Sequence, residues 1–296
     1  MMMAMLKSPA FASKPRLGLA VAAALALFGA RAALAAEGVE LPVRQSWTFS
    51  GPLGHFDRAQ LQRGFKVYRE VCSNCHSLSR IAFRNLSEPG GPEFTEGQVK
   101  GLAAEYEVPG EPDDTGEVKP RKARPADHFP PKYKNDNEAR ANNNGAAPPD
   151  LSLMAKARGV SYGFPWFIFD AFTQYQEGGP DYIHALIADG YLDEEKGEKV
   201  PEGITIPEGL HYNKFFPGHA IAMPNPLQDG QVEYTDGTPA TVDQYSRDLS
   251  AFLMWTAEPR LEERKELGLT VMLFLIIFTG LLYFTKRKVW HAVEAH

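Results

Sequence analysis

The two cysteines of this 296-residue chain lie three positions apart, and a histidine follows the second directly, in Cys72-Ser-Asn-Cys75-His76. Zinc sites built from three or four cysteines are excluded, because the chain has no other cysteine. A thioredoxin-like pair follows a strand, whereas the residues before Cys72 predict a helix. The third chemistry is covalent attachment of haem, in which both thiols bond to the porphyrin and His76 ligates the iron.

A structural alternative to haem attachment is a pair of buried thiols beside a surface histidine. A disulfide between Cys72 and Cys75 is disfavoured, because it would close a very tight loop. The choice depends on whether the chain is exported, since c-type haem is joined to protein on the outer side of the bacterial membrane.

The N-terminus predicts export. Basic residues Lys7, Lys14 and Arg16 precede an apolar segment at residues 17–30, and Ala33-Leu34-Ala35 is a small-residue cleavage signature. Residues 1–35 are therefore predicted to be a cleaved secretory signal peptide; a retained signal anchor is the alternative. The predicted signal holds four of the 31 basic residues and no acidic one, leaving 27 against 37, a formal charge of −10. This balance argues against nucleic-acid binding and towards a basic partner.

The C-terminus contains a predicted membrane span. Residues 267–285 carry no charge, and 19 helical residues cover about 28 Å, close to the hydrocarbon thickness of a bilayer. Lys286, Arg287 and Lys288 follow at once, and basic residues mark the cytoplasmic side. A buried core helix is disfavoured, because the segment is apolar on every face.

These signals predict a single-pass protein of the bacterial inner membrane. Residues 36–260 would form a periplasmic domain, 261–285 a linker and transmembrane helix, and 286–296 a cytoplasmic tail. The predicted fold class is mainly α, because three segments have helical periodicity: one from Asp57 to Val71, one that begins near Asp150, and one that ends at Pro259.

Other segments predict turns and loops. Residues 231–242 predict a small hairpin, with Asp236-Gly237 in its turn. Ten of the 23 prolines fall within residues 87–150, which predicts long loops without long regular elements. The aromatic stretch at residues 161–172 predicts either core packing or contact with the membrane or another subunit.

Two further residues connect the motif to a known family. Gly64 and Tyr68 precede Cys72 by eight and four residues, which resembles the pattern of class I c-type cytochromes, where a small residue and an aromatic meet a C-terminal helix, here the one bearing Trp255. Over almost the whole mature chain, in order, the sequence resembles the cytochrome c1 family in the stretches GFKVYREVCSNCHSL, ARANNNGAAPPDLSL, YNKFFPGHAIAMPNPL, DGTPATV and FLMWTAEPR. It departs from some bacterial members, which carry an extra cysteine pair. The aromatic stretch after Gly159 and the stretch DEEKGEKVPEGITIPEG resemble bacterial insertions.

The sequence offers several candidates for the sixth iron ligand. Met223 lies in a loop that Pro224 and Pro226 stiffen, and the resemblance implies the same residue; His219 is the competitor, and Met154 is more typical of a core position. A ligating His76 donates its other ring N–H to a carbonyl, for which the loop containing Pro149 is the candidate. The resemblance further implies that Arg140 pairs with a haem propionate; a plain surface arginine is the alternative.

The resemblance implies a class I cytochrome c-like domain with long loops and insertions, holding one covalent haem c. It also implies an electron-transfer subunit of a ubiquinol–cytochrome c oxidoreductase, with the electron coming from a Rieske iron–sulfur protein and leaving to a soluble or membrane-bound cytochrome c. Cytochrome b would perform the quinol chemistry, and the membrane is the remaining partner. Two alternatives stay open: a free-standing anchored cytochrome that feeds a terminal oxidase, and a haem peroxidase with an open distal site.

Overall fold

The computed structural model describes residues 40–193 and 197–291. The predicted signal peptide and the last five residues of the predicted tail lie outside this part of the chain. Within it the protein is mainly α-helical, as predicted. The helices are α1 (Arg58–Glu70), α2 (Glu96–Ala103), α3 (Asp136–Asn142), α4 (Met154–Ala157), α5 (Trp166–Thr173), α6 (Gly178–Ala188), α7 (Val242–Ala257) and α8 (Leu261–Trp290).

The strands form two small antiparallel sheets. β1 (Glu107–Pro112) pairs with β2 (Val118–Lys122), and β3 (His211–Tyr212) pairs with β4 (Ala220–Ile221). The β1–β2 hairpin lies in the proline-rich segment and was not predicted. At its tip, the Asp113 carboxylate accepts hydrogen bonds from the backbone N–H groups of Thr115 and Glu117, both at 3.0 Å, which closes the turn.

The hairpin predicted at residues 231–242 is wrong, because none of these residues lies in a strand. The backbone of Val232 instead pairs with a side chain: its N–H donates to the Tyr245 hydroxyl (3.1 Å), and that hydroxyl donates to the Val232 carbonyl (2.6 Å). The chain is therefore bound to α7 rather than to a neighbouring strand.

Helix α1 begins and ends close to the predicted positions. The Asp57 carboxylate caps it by accepting a hydrogen bond from Gln60 N–H at 3.1 Å. Leu61, Phe65 and Tyr68 are buried on one face, as the helical spacing predicts.

The core forms where α1 crosses α7, and Gly64 makes the crossing possible. A Cβ atom at position 64 would lie 2.1 Å from the Asp248 carbonyl oxygen and 2.7 Å from the Cβ of Phe252. A residue without a side chain therefore lets the two backbones touch. Tyr68 packs on Phe252, with ring centroids 6.1 Å apart, and Phe252 packs on Trp255. The helix crossing predicted from Gly64, Tyr68 and Trp255 is confirmed.

The last helix is long enough and apolar enough to cross a membrane, as the span prediction requires. It extends over 30 residues, so the linker predicted before the span is itself helical. Its first turn joins the core domain: the Glu262 carboxylate accepts two hydrogen bonds from Arg58 and one from Phe56 N–H, all at 2.7 Å.

Candidate haem site

The end of α1 places both cysteines and the histidine in one turn. A short 3₁₀ turn (Cys72–Asn74) follows the helix, and the backbone N–H groups of Cys75 and His76 both donate to the Cys72 carbonyl, at 3.1 and 2.8 Å. The three side chains therefore project from a closed backbone turn of five residues.

A backbone carbonyl orients the His76 ring. The Nδ1 atom of His76 lies 2.8 Å from the Pro149 carbonyl oxygen, and a carbonyl can only accept, so Nδ1 carries the proton. Burial lowers the pKa of His76, although the Pro149 hydrogen bond and the charge of Asp150 oppose this. The neutral ring presents an unprotonated Nε2, which is the form in which imidazole binds a metal.

The motif is attached to the core by one apolar contact and one hydrogen bond. Cys72 is half-buried against the hydrophobic core, and burial raises the pKa of its thiol to about 12. Tyr68, which is 3% exposed, donates its hydroxyl hydrogen to the His76 carbonyl at 3.0 Å. Tyr68 thereby connects the core of the α1–α7 crossing to the backbone of the motif.

The Asp150 carboxylate holds the loop after the motif, although the sequence predicted a different role for this residue. Asp150 was predicted to begin a helix, but α4 begins four residues later, at Met154. Its carboxylate instead accepts from the N–H (2.8 Å) and hydroxyl (2.6 Å) of Ser79, and from Ser152 N–H (2.8 Å). These contacts bind the end of the proline-rich segment to Ser79, three residues after the haem motif. Because Ser79 and Asp150 lie 71 residues apart, no local sequence pattern indicated them.

The predicted sixth ligand lies in a separate loop. Met223 is half-buried, and its carbonyl accepts a hydrogen bond from the Tyr191 hydroxyl at 2.9 Å. The ring of the competing His219 stacks on Tyr212, with centroids 5.7 Å apart, and its Nδ1 lies 3.3 Å from the Asn213 carbonyl. Met254 is buried in the core at 1% exposure. Ligation by Met223 stays a prediction.

Arg140 is exposed near the end of α3. Its guanidinium donates to the Gly145 carbonyl at 3.2 Å, and within residues 40–193 and 197–291 it forms no salt bridge with a carboxylate. This leaves its charge available to an anionic group, so its pairing with a haem propionate also stays a prediction.

The residues present fit a covalently bound haem c. The two thiols lie in the same turn, and the Cys72 thiol is in apolar surroundings that suit an uncharged thioether. The hydrogen bond to Pro149 gives His76 the tautomer that an iron ligand needs. Five of the seven predicted site residues, namely Tyr68, Cys72, Cys75, His76 and Pro149, meet in this one arrangement.

Comparison with known proteins agrees with this geometry. The model of the Cytochrome C1 family matches residues 47–293. The chain belongs to the cytochrome c1 family. It is 48% identical to cytochrome c1 of Blastochloris viridis and 44% identical to that of Rhodospirillum rubrum, in each case over 93% of this chain and 96% of the relative. Members of the family carry covalently bound haem c, and this chain is an electron-transfer haem protein.

A third relative is much longer than this chain. A protein of Bradyrhizobium diazoefficiens named cytochrome b/c1 is 58% identical over 274 residues, which are 93% of this chain. The matched region covers 39% of that relative's length.

Proposed function

We propose that the chain is the haem c subunit of a ubiquinol–cytochrome c oxidoreductase in a bacterial inner membrane. The observation that carries the proposal is the hydrogen bond between His76 Nδ1 and the Pro149 carbonyl, beside two thiols in one turn. Haem, when bound, supplies one-electron chemistry through an iron that alternates between its ferric and ferrous states.

The chain's own residues hold and tune that group. Cys72 and Cys75 would bond to the haem through their thiols, His76 and Met223 would ligate its iron, and Arg140 would pair with a propionate. A methionine ligand raises the reduction potential relative to a second histidine. With His76 and Met223 both on the iron, no position would be left for a substrate, and the role would be electron transfer rather than peroxidation.

The proposed partners follow from membership of the cytochrome c1 family and from the net charge of the predicted mature chain. The electron comes from a Rieske iron–sulfur protein, cytochrome b performs the quinol chemistry, and a soluble or membrane-bound cytochrome c is the acceptor. The name cytochrome b/c1 of the long relative supports a partnership with cytochrome b. The excess of acidic residues in the predicted mature chain supports a basic acceptor.

The proposed orientation places the haem domain in the periplasm. Helix α8 has Glu262 and Glu263 in its first turn and Arg287 and Lys288 in its last. The basic end belongs on the cytoplasmic side. This orientation also exposes the thiols where c-type haem is attached.

A redox-titrated spectrum of the purified membrane complex tests the proposed function. It should contain b-type and c-type haem together, and only c-type haem should stay on this chain in acid acetone. A complex that migrates on a native gel at the size of this chain alone would contradict membership of the oxidoreductase. Rapid binding of cyanide to the ferric form would contradict two filled axial positions.

A further inference from the structure

Helix α5 (Trp166–Thr173) carries an apolar face that the fold leaves uncovered. None of its eight residues is buried, so the core-packing alternative for this stretch is wrong. Phe172 is 82% exposed, and Phe164, just before the helix, is 79% exposed. We call the exposed side chains of this segment the aromatic face: Phe164, Phe167, Ile168, Phe169 and Phe172. A contiguous exposed apolar surface of this kind marks an interaction site.

A polar clamp holds the opposite side of the helix. Asp170 forms two parallel hydrogen bonds with the Arg44 guanidinium, both at 2.8 Å. The Arg44 carbon Cζ also lies 4.2, 4.6 and 4.5 Å from the ring centroids of Tyr162, Trp166 and Tyr175. This bidentate pair within an aromatic cage fixes which side of α5 faces the domain, so the aromatic face must point outward.

A buried carboxylate anchors the clamp. Asp181 on α6 is fully buried and accepts hydrogen bonds from Trp47 Nε1 (2.8 Å) and from the hydroxyls of Tyr162 (2.7 Å) and Tyr175 (2.5 Å). Two of these residues are walls of the cage around Arg44. The aromatic face is therefore presented by a rigid base, and folding it back into the core would break buried hydrogen bonds.

The end of α5 lies close to the start of the membrane-spanning helix. A Cβ atom at Gly51 would be 3.6 Å from the Thr173 carbonyl oxygen, and two residues earlier the Phe49 carbonyl accepts a hydrogen bond from Lys265. Two residues of chain cover at most on the order of 7 Å. Residues 174, 176 and 177 line one small crevice together with Leu261, Arg264 and Lys265 of α8. The uncharged part of α8 begins at residue 267.

We propose that the aromatic face of α5 lies in the lipid headgroup layer of the membrane that α8 spans, as a second, interfacial attachment of the haem domain. The inference rests on the membrane anchor of the proposed function. Large apolar side chains, phenylalanine among them, on one side of a helix are typical of interfacial attachment. The one charged side chain of α5, Asp170, is neutralised by Arg44 on the inner side, so nothing charged opposes burial of the face among lipids.

Nitroxide labelling of the full-length, haem-loaded chain tests this position. Because Cys72 and Cys75 are bonded to haem, an introduced cysteine is the one free thiol. Phe172→Cys, Val118→Cys on β2 and Ile276→Cys within α8 are labelled separately in vesicles of phosphatidylethanolamine and phosphatidylglycerol. Collisions with oxygen, which enters lipid, and with a water-soluble nickel chelate are then compared. The oxygen-to-nickel ratio at 172 should exceed that at 118 several-fold and stay below that at 276, because 276 lies in the middle of the uncharged span.

The three positions separate the possible failures. If the oxygen-to-nickel ratio at 172 equals that at 118 while 276 is in lipid, the inference is overturned and the anchor stands. If the label at 276 is accessible to the nickel chelate, the membrane anchor itself is overturned. In the assembled complex, a benzophenone side chain at 172 distinguishes lipid from a protein partner. We expect no shift in the size of the chain, and cross-linking to another subunit or to a second copy would overturn the proposal.

Discussion

A carbonyl oxygen can only accept a hydrogen bond, and this decides the chemistry of His76. The contact with the Pro149 carbonyl fixes the proton on Nδ1 and leaves Nε2 for a metal. The Cys-x-x-Cys-His pattern identifies the hydrogen-bond donor, His76, directly. The acceptor lies 73 residues away in a loop, and proline at positions 148 and 149 was the sequence signal that identified it.

The sixth ligand gives the first prediction. Met223→Leu keeps the volume and apolarity of the side chain but removes the thioether, so the loop should survive while the ligation is lost. The weak far-red band of His/Met ferric haem should disappear, and the midpoint potential should fall by on the order of 0.1 V or more. Since about 59 mV shifts a one-electron equilibrium tenfold, quinol oxidation should stall in a complex that still assembles.

Met154→Leu is the matched control for Met223→Leu, because Met154 is half-buried on α4 and packs against the core. Its spectrum should equal that of the wild type. Loss of the band in Met154→Leu, with retention in Met223→Leu, would transfer the ligand to Met154. A wild-type spectrum without the band would favour His219.

Asp150 gives a second prediction, on stability. Burial opposes ionisation, but hydrogen bonds from Ser152 and Ser79 outweigh it and lower the pKa of the carboxyl. A lowered pKa means that the stabilisation is complete above the ordinary pKa of an aspartate and is lost as the pH falls through the folded value. At neutral pH, Asp150→Asn should reduce the free energy of unfolding by about 1 kcal/mol, because water screens part of the interactions of this half-exposed carboxylate.

Chemical unfolding of the two forms at several pH values measures this difference. The difference should shrink as the medium becomes acidic enough to protonate Asp150 in the folded wild type. Ser87→Ala is a control, because its exposed hydroxyl makes a local hydrogen bond to Arg84 O and should matter little. Equal stability of Asp150→Asn and wild type at neutral pH would show that the hydrogen bonds from Ser79 and Ser152 do not stabilise the fold.

At the scale of the elements, the α1–α7 crossing depends on a missing side chain. A methyl group in Gly64→Ala would lie 2.1 Å from the Asp248 carbonyl oxygen, which is backbone and cannot turn away. The two helices must separate, which should cost about 1–3 kcal/mol or more of unfolding free energy. Gly101→Ala is the matched control, since nothing lies within 4 Å of its Cβ. It should be neutral or stabilising, because alanine favours a helix.

Thermal unfolding of the haem-loaded proteins compares the two substitutions. A Gly64→Ala protein as stable as Gly101→Ala would show that the crossing tolerates a wider separation than the packing implies. Such a result would also weaken the view that Tyr68 transmits the core packing to the haem motif.

The elements differ in how well the sequence predicts them. α1 and α7 were predictable because each has a polar cap and an apolar face of regular spacing, and both follow local rules. The false hairpin at residues 231–242 had a sound turn signal in Asp236-Gly237, but the Tyr245 hydroxyl binds the Val232 backbone that a strand partner would have bound. The predicted helix start near Asp150 was wrong for the same reason, because Ser79 donates hydrogen bonds to the Asp150 carboxylate. Tertiary contacts outweighed local preference in both cases.

At the scale of the whole molecule, charged residues join the first turn of α8 to the N-terminal end of α1. Glu262 binds Arg58 and the backbone of Phe56, and Lys265 binds the Phe49 carbonyl. The domain is therefore attached to its anchor by directional contacts rather than by a loose tether. Such a junction fixes the position of the domain relative to the first turn of α8.

The final prediction concerns the side of the membrane on which the domain lies. Because the proposed haem attachment uses both native thiols, single introduced cysteines report topology without background. In intact spheroplasts, a membrane-impermeant maleimide should label Val118→Cys on the exposed β1–β2 hairpin and spare Val289→Cys near the end of α8. Permeabilising the membrane should make position 289 reactive, which controls for burial of that cysteine. The opposite pattern, with 289 labelled and 118 protected until permeabilisation, would reverse the orientation inferred from Lys286, Arg287 and Lys288.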